Sequence, residues 1–308
     1  MSIKTKGYIL GVIAAATYGM NPLFALPLYA DGMDTDSVLF FRYLIAIFIL
    51  GFMTKLRGHS LKIERNEILP LFVMGILSAL SSLTLFKSYL YMAAGIASTI
   101  LFVYPIMVAL IMCFFFKEKL TANTIVCIGL ALGGIGLLYK NENGDTLSTV
   151  GVAFVIASAL SYSIYIVGAN RPLLKKIPTV KMTFYVLTFG FLLFVGSTKG
   201  CTQITTPEHW YLWFNLAALA LLPTAVSFLC TTLSVQYIGS TPTAILGALE
   251  PVVAVIFGVT IFSEPMTQRI LGGILLILIA VTLVIAGGNI TAPLVRFRKL
   301  FPRIIKRK

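Results

Sequence analysis

The chain has 308 residues, 58% of them hydrophobic and 11% charged, with a mean hydropathy of +0.95. A soluble domain carries about 25% charged residues, so a water-exposed globular fold is excluded. Recurring apolar runs of roughly 18 residues or more mark an all-α polytopic membrane protein. The formal net charge of +13 sits mainly at loop ends and in the C-terminal tail, which excludes a nucleic-acid-binding face.

About 20 apolar residues are needed per span. This places helices near 7–29, 36–54, 68–91, 96–116 and 122–139, then near 149–168, 180–198, 210–236, 242–262 and 268–288. The first follows Lys4 and Lys6 as a secretory leader would. Its run to about Tyr29 is longer than the 7–15-residue apolar core of such leaders, so it is kept as a span. It is interrupted by "NPLFALP", with Pro22 and Pro27, and offers Tyr18 and Asn21 as cavity-lining groups. The second span carries Arg42, flanked at helical spacing by Val38, Leu39, Ile45 and Ala46. The third carries Lys87 on a face with Thr84 and Tyr91, and the fourth carries Tyr104 followed by Pro105. In the fifth, Gly129 and Gly133 suit close helix packing. The sixth offers Tyr162 and Tyr165, and the eighth Thr224, Ser227 and Thr231. The ninth holds Glu250 and Pro251.

Orientation follows from Lys and Arg in the connections. With the N-terminus inside, 19 of the 24 fall in cytoplasmic segments and the tail, and 3 fall outside: Lys140, Lys199 and Arg269. Both termini are therefore expected on the cytoplasmic side of the plasma (inner) membrane. The tail, 289–308, mixes Arg and Lys with Leu, Phe and Ile. It reads either as a segment lying on anionic membrane lipids or as a disordered basic tail.

The halves repeat. "TILFVYPIMVALIMCFFFKEKLT" (99–121) lies over "ILGALEPVVAVIFGVTIFSEPMT" (245–267) at a shift of 146, which matches Pro105 with Pro251, Glu118 with Glu264 and Tyr91 with Tyr237. "GYILGVIAAATY" (7–18) meets "GVAFVIASALSY" (151–162) at a shift of 144, which matches Gly7 with Gly151 and Tyr18 with Tyr162. Five spans per half is an odd number, so the second half enters the membrane inverted. The expected organisation is two inverted five-helix repeats, 1–140 and 149–288, followed by the tail. Inverted repeats belong to transporters, whose halves exchange conformations about a central site.

With ten spans, "FFRYLIA" in the second and "P…E" ends in the fourth and ninth, the chain resembles the EamA type of the drug/metabolite transporter superfamily over roughly residues 7 to 288. The resemblance implies export or exchange of small metabolites, often amino acids, through a cavity between the halves.

Beyond the first two residues of each span, three charges lie within spans: Arg42, Lys87 and Glu250. Each costs about 2.5–3.5 kcal/mol at a helix centre on insertion scales. Arg42 is either a structural anchor or a substrate or gate contact, and Lys87 either snorkels or faces a cavity. Glu250 is too deep for its short side chain to reach outside water. Its stripe, Thr243, Gly247, Glu250, Ala254 and Gly258, is built of small residues, while the matching stripe around Tyr104 is bulkier, with Leu101, Val108 and Met112. Pro251 is expected to leave the Gly247 carbonyl without its helical donor. Glu250 is either the group that binds a substrate or coupling proton, or the structural counter-ion of a basic residue. One carboxylate with two candidate cations suits a zwitterion or another small polar metabolite.

Catalysis has little support. Apart from Asp36 at the first residue of the second span, no span contains Asp or His, and neither a metal motif nor a disulfide framework is spelled by Cys113, Cys127, Cys201 and Cys230, so no cofactor is expected. The rival to transport is a sensor or scaffold.

Overall fold

The computed structural model describes residues 2–56, 58, 61–116, 122–139, 147–169, 174, 176–238, 243 and 246–283. The tail, Glu118, Thr121 and several loop cations used for the orientation lie outside these. The described residues form helices and turns without a strand: α1 (Ile3–Gly19), α2 (Asn21–Ala30), α3 (Thr35–Leu56), α4 (Arg65–Ser88), α5 (Ala94–Leu101), α6 (Tyr104–Phe116), α7 (Ala122–Tyr139), α8 (Thr149–Ala169), α9 (Thr179–Ser197), α10 (Leu212–Ala220), α11 (Ser227–Ile238) and α12 (Leu249–Phe262). A last helix, α13, covers Gln268–Leu283.

Among the described residues, seven helical stretches are long and apolar enough to cross a membrane, counting Ile3–Ala30 and Ala94–Phe115 as one each. Three shorter apolar helices, Ile125–Leu138, Leu249–Phe262 and Gln268–Leu283, fall where the fifth, ninth and tenth spans are expected. The helices are apolar on every side, as suits burial in lipid and protein together. Phe48, Phe52, Leu69, Phe114, Phe115 and Leu132 are each more than 60% exposed. Water would not tolerate so much exposed apolar surface, whereas a bilayer accepts it.

Proline decides where helices break. It lacks an N–H and clashes with the carbonyl four residues back, so it fits best in a first turn. The first span breaks at Met20, with Pro22 in the first turn of α2. The fourth breaks at Phe102–Val103, with Pro105 in the first turn of α6. The ninth has a turn at Gly247–Ala248 ahead of α12 and Pro251. The breaks in the fourth and ninth spans thus fall within a residue of one another at the shift of 146. The eighth span stays continuous by a different device. Around Pro223 it widens into a π-helical turn, Leu221–Val226, and the Thr224 hydroxyl takes the Leu219 carbonyl at 3.1 Å. Pro27 is accommodated inside α2.

Two close approaches repeat with the sequence. A Cβ on Gly7 would lie 2.5 Å from Ile238 Cγ2 and 2.9 Å from Tyr237 Cβ. A Cβ on Gly151 would lie 2.7 Å from Met92 Cε and 3.0 Å from Tyr91 Cβ. Gly7 and Gly151 are 144 apart, while Tyr91 and Tyr237 are 146 apart. Each glycine lets the start of one helix pack against the end of another from the opposite half.

Polar contacts between distant segments gather at the end of the bundle where α3, α5, α8, α10 and α13 begin. Asp31 Oδ1 lies 2.6 Å from His209 Nδ1, and Asp31 Oδ2 accepts from the Glu208 N–H at 2.8 Å. Thr205 Oγ1 donates to Asp34 Oδ1 at 2.5 Å, and the Thr205 N–H donates to Ser37 Oγ at 2.9 Å. At the opposite end, Lys181 Nζ and Tyr185 Oη donate to the carbonyls of Lys62 and Leu61.

Candidate functional site

The breaks in the fourth and ninth spans face one cavity of about 210 Å³. α1 contributes Gly11, Ala14, Ala15 and Tyr18; the fourth span Leu101 and Tyr104; α8 Tyr162 and Ile166; α11 Ser227, Phe228 and Thr231; and the ninth span Thr243, Gly247 and Glu250. Gly11, Thr231 and Thr243 extend it from the breaks towards the end where α1 begins.

Glu250 is the second residue of α12, in its first turn. The positive end of the helix dipole therefore favours its carboxylate. Among the described residues that carboxylate accepts no hydrogen bond and forms no ion pair. It is half-buried and lines the cavity. The Gly247 carbonyl differs from expectation: the Glu250 N–H donates to it at 3.0 Å, so the turn supplies the donor that Pro251 lacks. Tyr104 is the first residue of α6 and meets Tyr162 edge-on, with ring centroids 4.8 Å apart at 81°.

Both breaks are held from the other half. The Ser163 hydroxyl donates to the Tyr104 carbonyl at 3.0 Å. Gly19 admits the Glu250 carbonyl so closely that a Cβ there would lie 2.5 Å from it. Gly19 and Ser163 are 144 apart, and Tyr104 and Glu250 are 146 apart, so the same positions meet in each case.

Of the residues singled out from sequence, Glu250, Tyr104, Tyr18, Tyr162, Ser227 and Thr231 line this cavity, and Asn21, Tyr165, Arg42 and Lys87 do not. Asn21 opens α2 and donates to the Tyr18 carbonyl at 2.8 Å; its Oδ1 is buried without a hydrogen bond. Tyr165 is buried and stacks on Tyr162 from behind, 5.9 Å between centroids. Arg42 neither snorkels nor finds an ion pair among the described residues. It is 4% exposed, its Nε donates to Thr224 Oγ1 at 3.0 Å, and its guanidinium carbon lies 5.1 Å from the Phe86 ring centroid. Thr224 is thereby used as a partner of Arg42 and does not line the cavity. Lys87 pairs with Asp36 at 3.9 Å near the end of α4, both half-buried. Pro105 and Pro251 sit at the breaks, half-buried and buried respectively.

Sequence reasoning did not single out Gly11, Ala14, Ala15, Ile166 or Phe228. The signal was present for three of them: Gly11, Ala14, Ala15 and Tyr18 recur at helical spacing on one face of α1. Glu264 was noted only as a repeat mate. Its Oε1 accepts from the Ala94 N–H at 2.7 Å and its Oε2 from the Gly95 N–H at 3.3 Å, which caps α5 from across the molecule.

An apolar helical bundle of this kind defines a multi-pass membrane protein. Residues 5–140 and 149–286 each match the EamA-like transporter family, and the chain belongs to it. It is 24% identical to the uncharacterized transporter YvbV of Bacillus subtilis, over 91% of this chain and 92% of that one. It is 28% identical to an uncharacterized transporter of Archaeoglobus fulgidus, over 80% and 85%. A crystal structure 18% identical in sequence shares the fold at a TM-score of 0.64, covering 93% of this chain and 99% of the other.

Proposed function

We propose that this membrane transporter is a secondary exporter or exchanger of small polar metabolites, working by alternating access at the Glu250 cavity. Ten spans arranged as two inverted repeats underlie this reading. The repeated contacts support it: Gly7 with Tyr237 answers Gly151 with Tyr91, and Gly19 with Glu250 answers Ser163 with Tyr104.

The observation that carries the reading is the carboxylate at the start of α12, turned into a cavity and unbonded among the described residues. A group so costly to bury without a partner is retained where a ligand or proton supplies one. The cavity reaches towards the end where α1 begins. At the other end Asp31, Asp34 and Glu264 tie segments of the two halves together. With both termini cytoplasmic in the plasma membrane, as the Lys and Arg bias implies, this is a state loaded from the cytoplasm. Protons are the proposed coupling ion, since Glu250 can exchange one for a cation.

The test is Glu250→Gln in proteoliposomes. The amide keeps the shape and removes charge and titration. Uptake of a metabolite panel, with and without a proton gradient, should be lost or uncoupled while the melting temperature stays within a few degrees. Normal uptake with an unchanged pH profile rejects the proposal.

A further inference from the structure

The charge inventory around the cavity reaches a narrower conclusion about what it holds, one that rests on the transport reading above. Among the described residues that line it, Glu250 is the one formally charged side chain. The two cations that suited a zwitterion are elsewhere: Arg42 is buried against Thr224 and Phe86, and Lys87 is held by Asp36 near the far end of α4. A ligand carboxylate in the cavity would meet a like charge at low dielectric with no cation among the described lining residues to offset it.

Helix N-termini can attract anions, and two of them face this cavity. Both are already used. Glu250 itself occupies the first turn of α12. At the start of α6, the Ile106 and Met107 N–H groups both donate to the Val103 carbonyl.

The aromatic lining points the same way. Tyr104 and Tyr162 stand edge to face, 4.8 Å between centroids, so they present differently oriented rings to the cavity. Tyr18 lines the same cavity as Glu250. A cation within about 6 Å of a tyrosine ring centroid is attracted to its face, and the carboxylate adds full charge complementarity. Leu101 and Phe228 supply apolar wall.

We infer that the cavity takes an organic monocation, an amine or ammonium group carried on a compact apolar body, in preference to a zwitterion or an anion. Glu250 holds the charged end, Tyr104 and Tyr162 surround it, and the body rests against Leu101 and Phe228.

Three probes of one shape separate the classes: 2-phenylethylamine, phenylalanine and 3-phenylpropionate. Their binding to purified full-length protein is measured by calorimetry. The amine should bind at least tenfold tighter than the other two. Glu250→Gln should weaken the amine at least tenfold without weakening 3-phenylpropionate. Tyr162→Leu, which keeps the carboxylate, should also weaken the amine and serves if the first variant fails to fold. Equal or tighter binding of phenylalanine or 3-phenylpropionate, or no binding of the amine, overturns the inference. Exchange of radiolabelled amine above that of protein-free vesicles is measured in parallel. Glu250-dependent binding without exchange sinks the transport reading and leaves the cation site standing. Exchange of phenylalanine in preference to the amine does the reverse.

Discussion

Glu264 and Ala94 are joined across the molecule: a carboxylate after α12 accepts the first backbone N–H of α5 at 2.7 Å, and the Gly95 N–H adds a second bond at 3.3 Å. The first N–H groups of a helix have no partner within it, and here a side chain 170 residues away supplies one. The room for it comes from Gly258, where a Cβ would lie 2.1 Å from Glu264 Oε2. Glu264→Ala should therefore lower stability by about 1–2 kcal/mol, the range of a lost N-cap, and Glu264→Gln by less. Denaturation of the two variants beside wild type in the same detergent measures this. Equal losses would mean that the carboxylate's charge, and not its place as an acceptor, holds α5.

Gly19 is a packing requirement. A Cβ there would meet the Glu250 carbonyl at 2.5 Å and Val253 Cβ at 2.8 Å. One contact is backbone and cannot rotate away, so Gly19→Ala should push α1 from α12 and cost about 1–3 kcal/mol, as overpacking does. Because Tyr18 and Glu250 both line the cavity, ligand affinity should fall with the melting temperature. Unchanged affinity in a destabilised variant would separate packing from the site.

Arg42 and Thr224 form a buried pair at 3.0 Å. Thr224→Val removes the acceptor, keeps the volume and leaves a buried guanidinium short of one bond. The expected loss is about 1.5–3 kcal/mol, the scale for bonds to charged groups. A double-mutant cycle of Thr224→Val with Arg42→Met should return a coupling of about 1 kcal/mol or more. Additive losses would show that the bond contributes nothing.

Asp31 sets a pH dependence outside the membrane. The hydrogen bond with His209 holds its carboxyl below the usual carboxylate range, and the Glu208 N–H contributes in the same direction. A depressed folded value means stability that is fully present above the ordinary carboxylate pKa of about 3.9. That stability is lost as pH falls through the depressed value. The melting temperature of wild type should drop more steeply below about pH 4 than that of Asp31→Asn. Parallel curves for the two proteins would refute the assignment.

Sequence alone determined the class of molecule, since 58% hydrophobic residues in span-length runs admit no solvent but lipid. It also placed the breaks beside prolines, because a missing N–H is a local fact, and it picked out Glu250, because an acid deep in an apolar run has no local explanation. Tertiary structure decided which polar groups share a cavity. Arg42 and Lys87 looked like equals of Glu250 on their own helices, yet Arg42 found Thr224 at a π-helical turn 182 residues away, and Lys87 met Asp36 from α3. The Glu264 cap and the Gly19 approach were equally invisible, since neither leaves a periodic trace within its own segment. Helix periodicity specifies one face of one helix, whereas a site is the meeting of several faces. Only the packing of all of them settles which charges are left to a ligand.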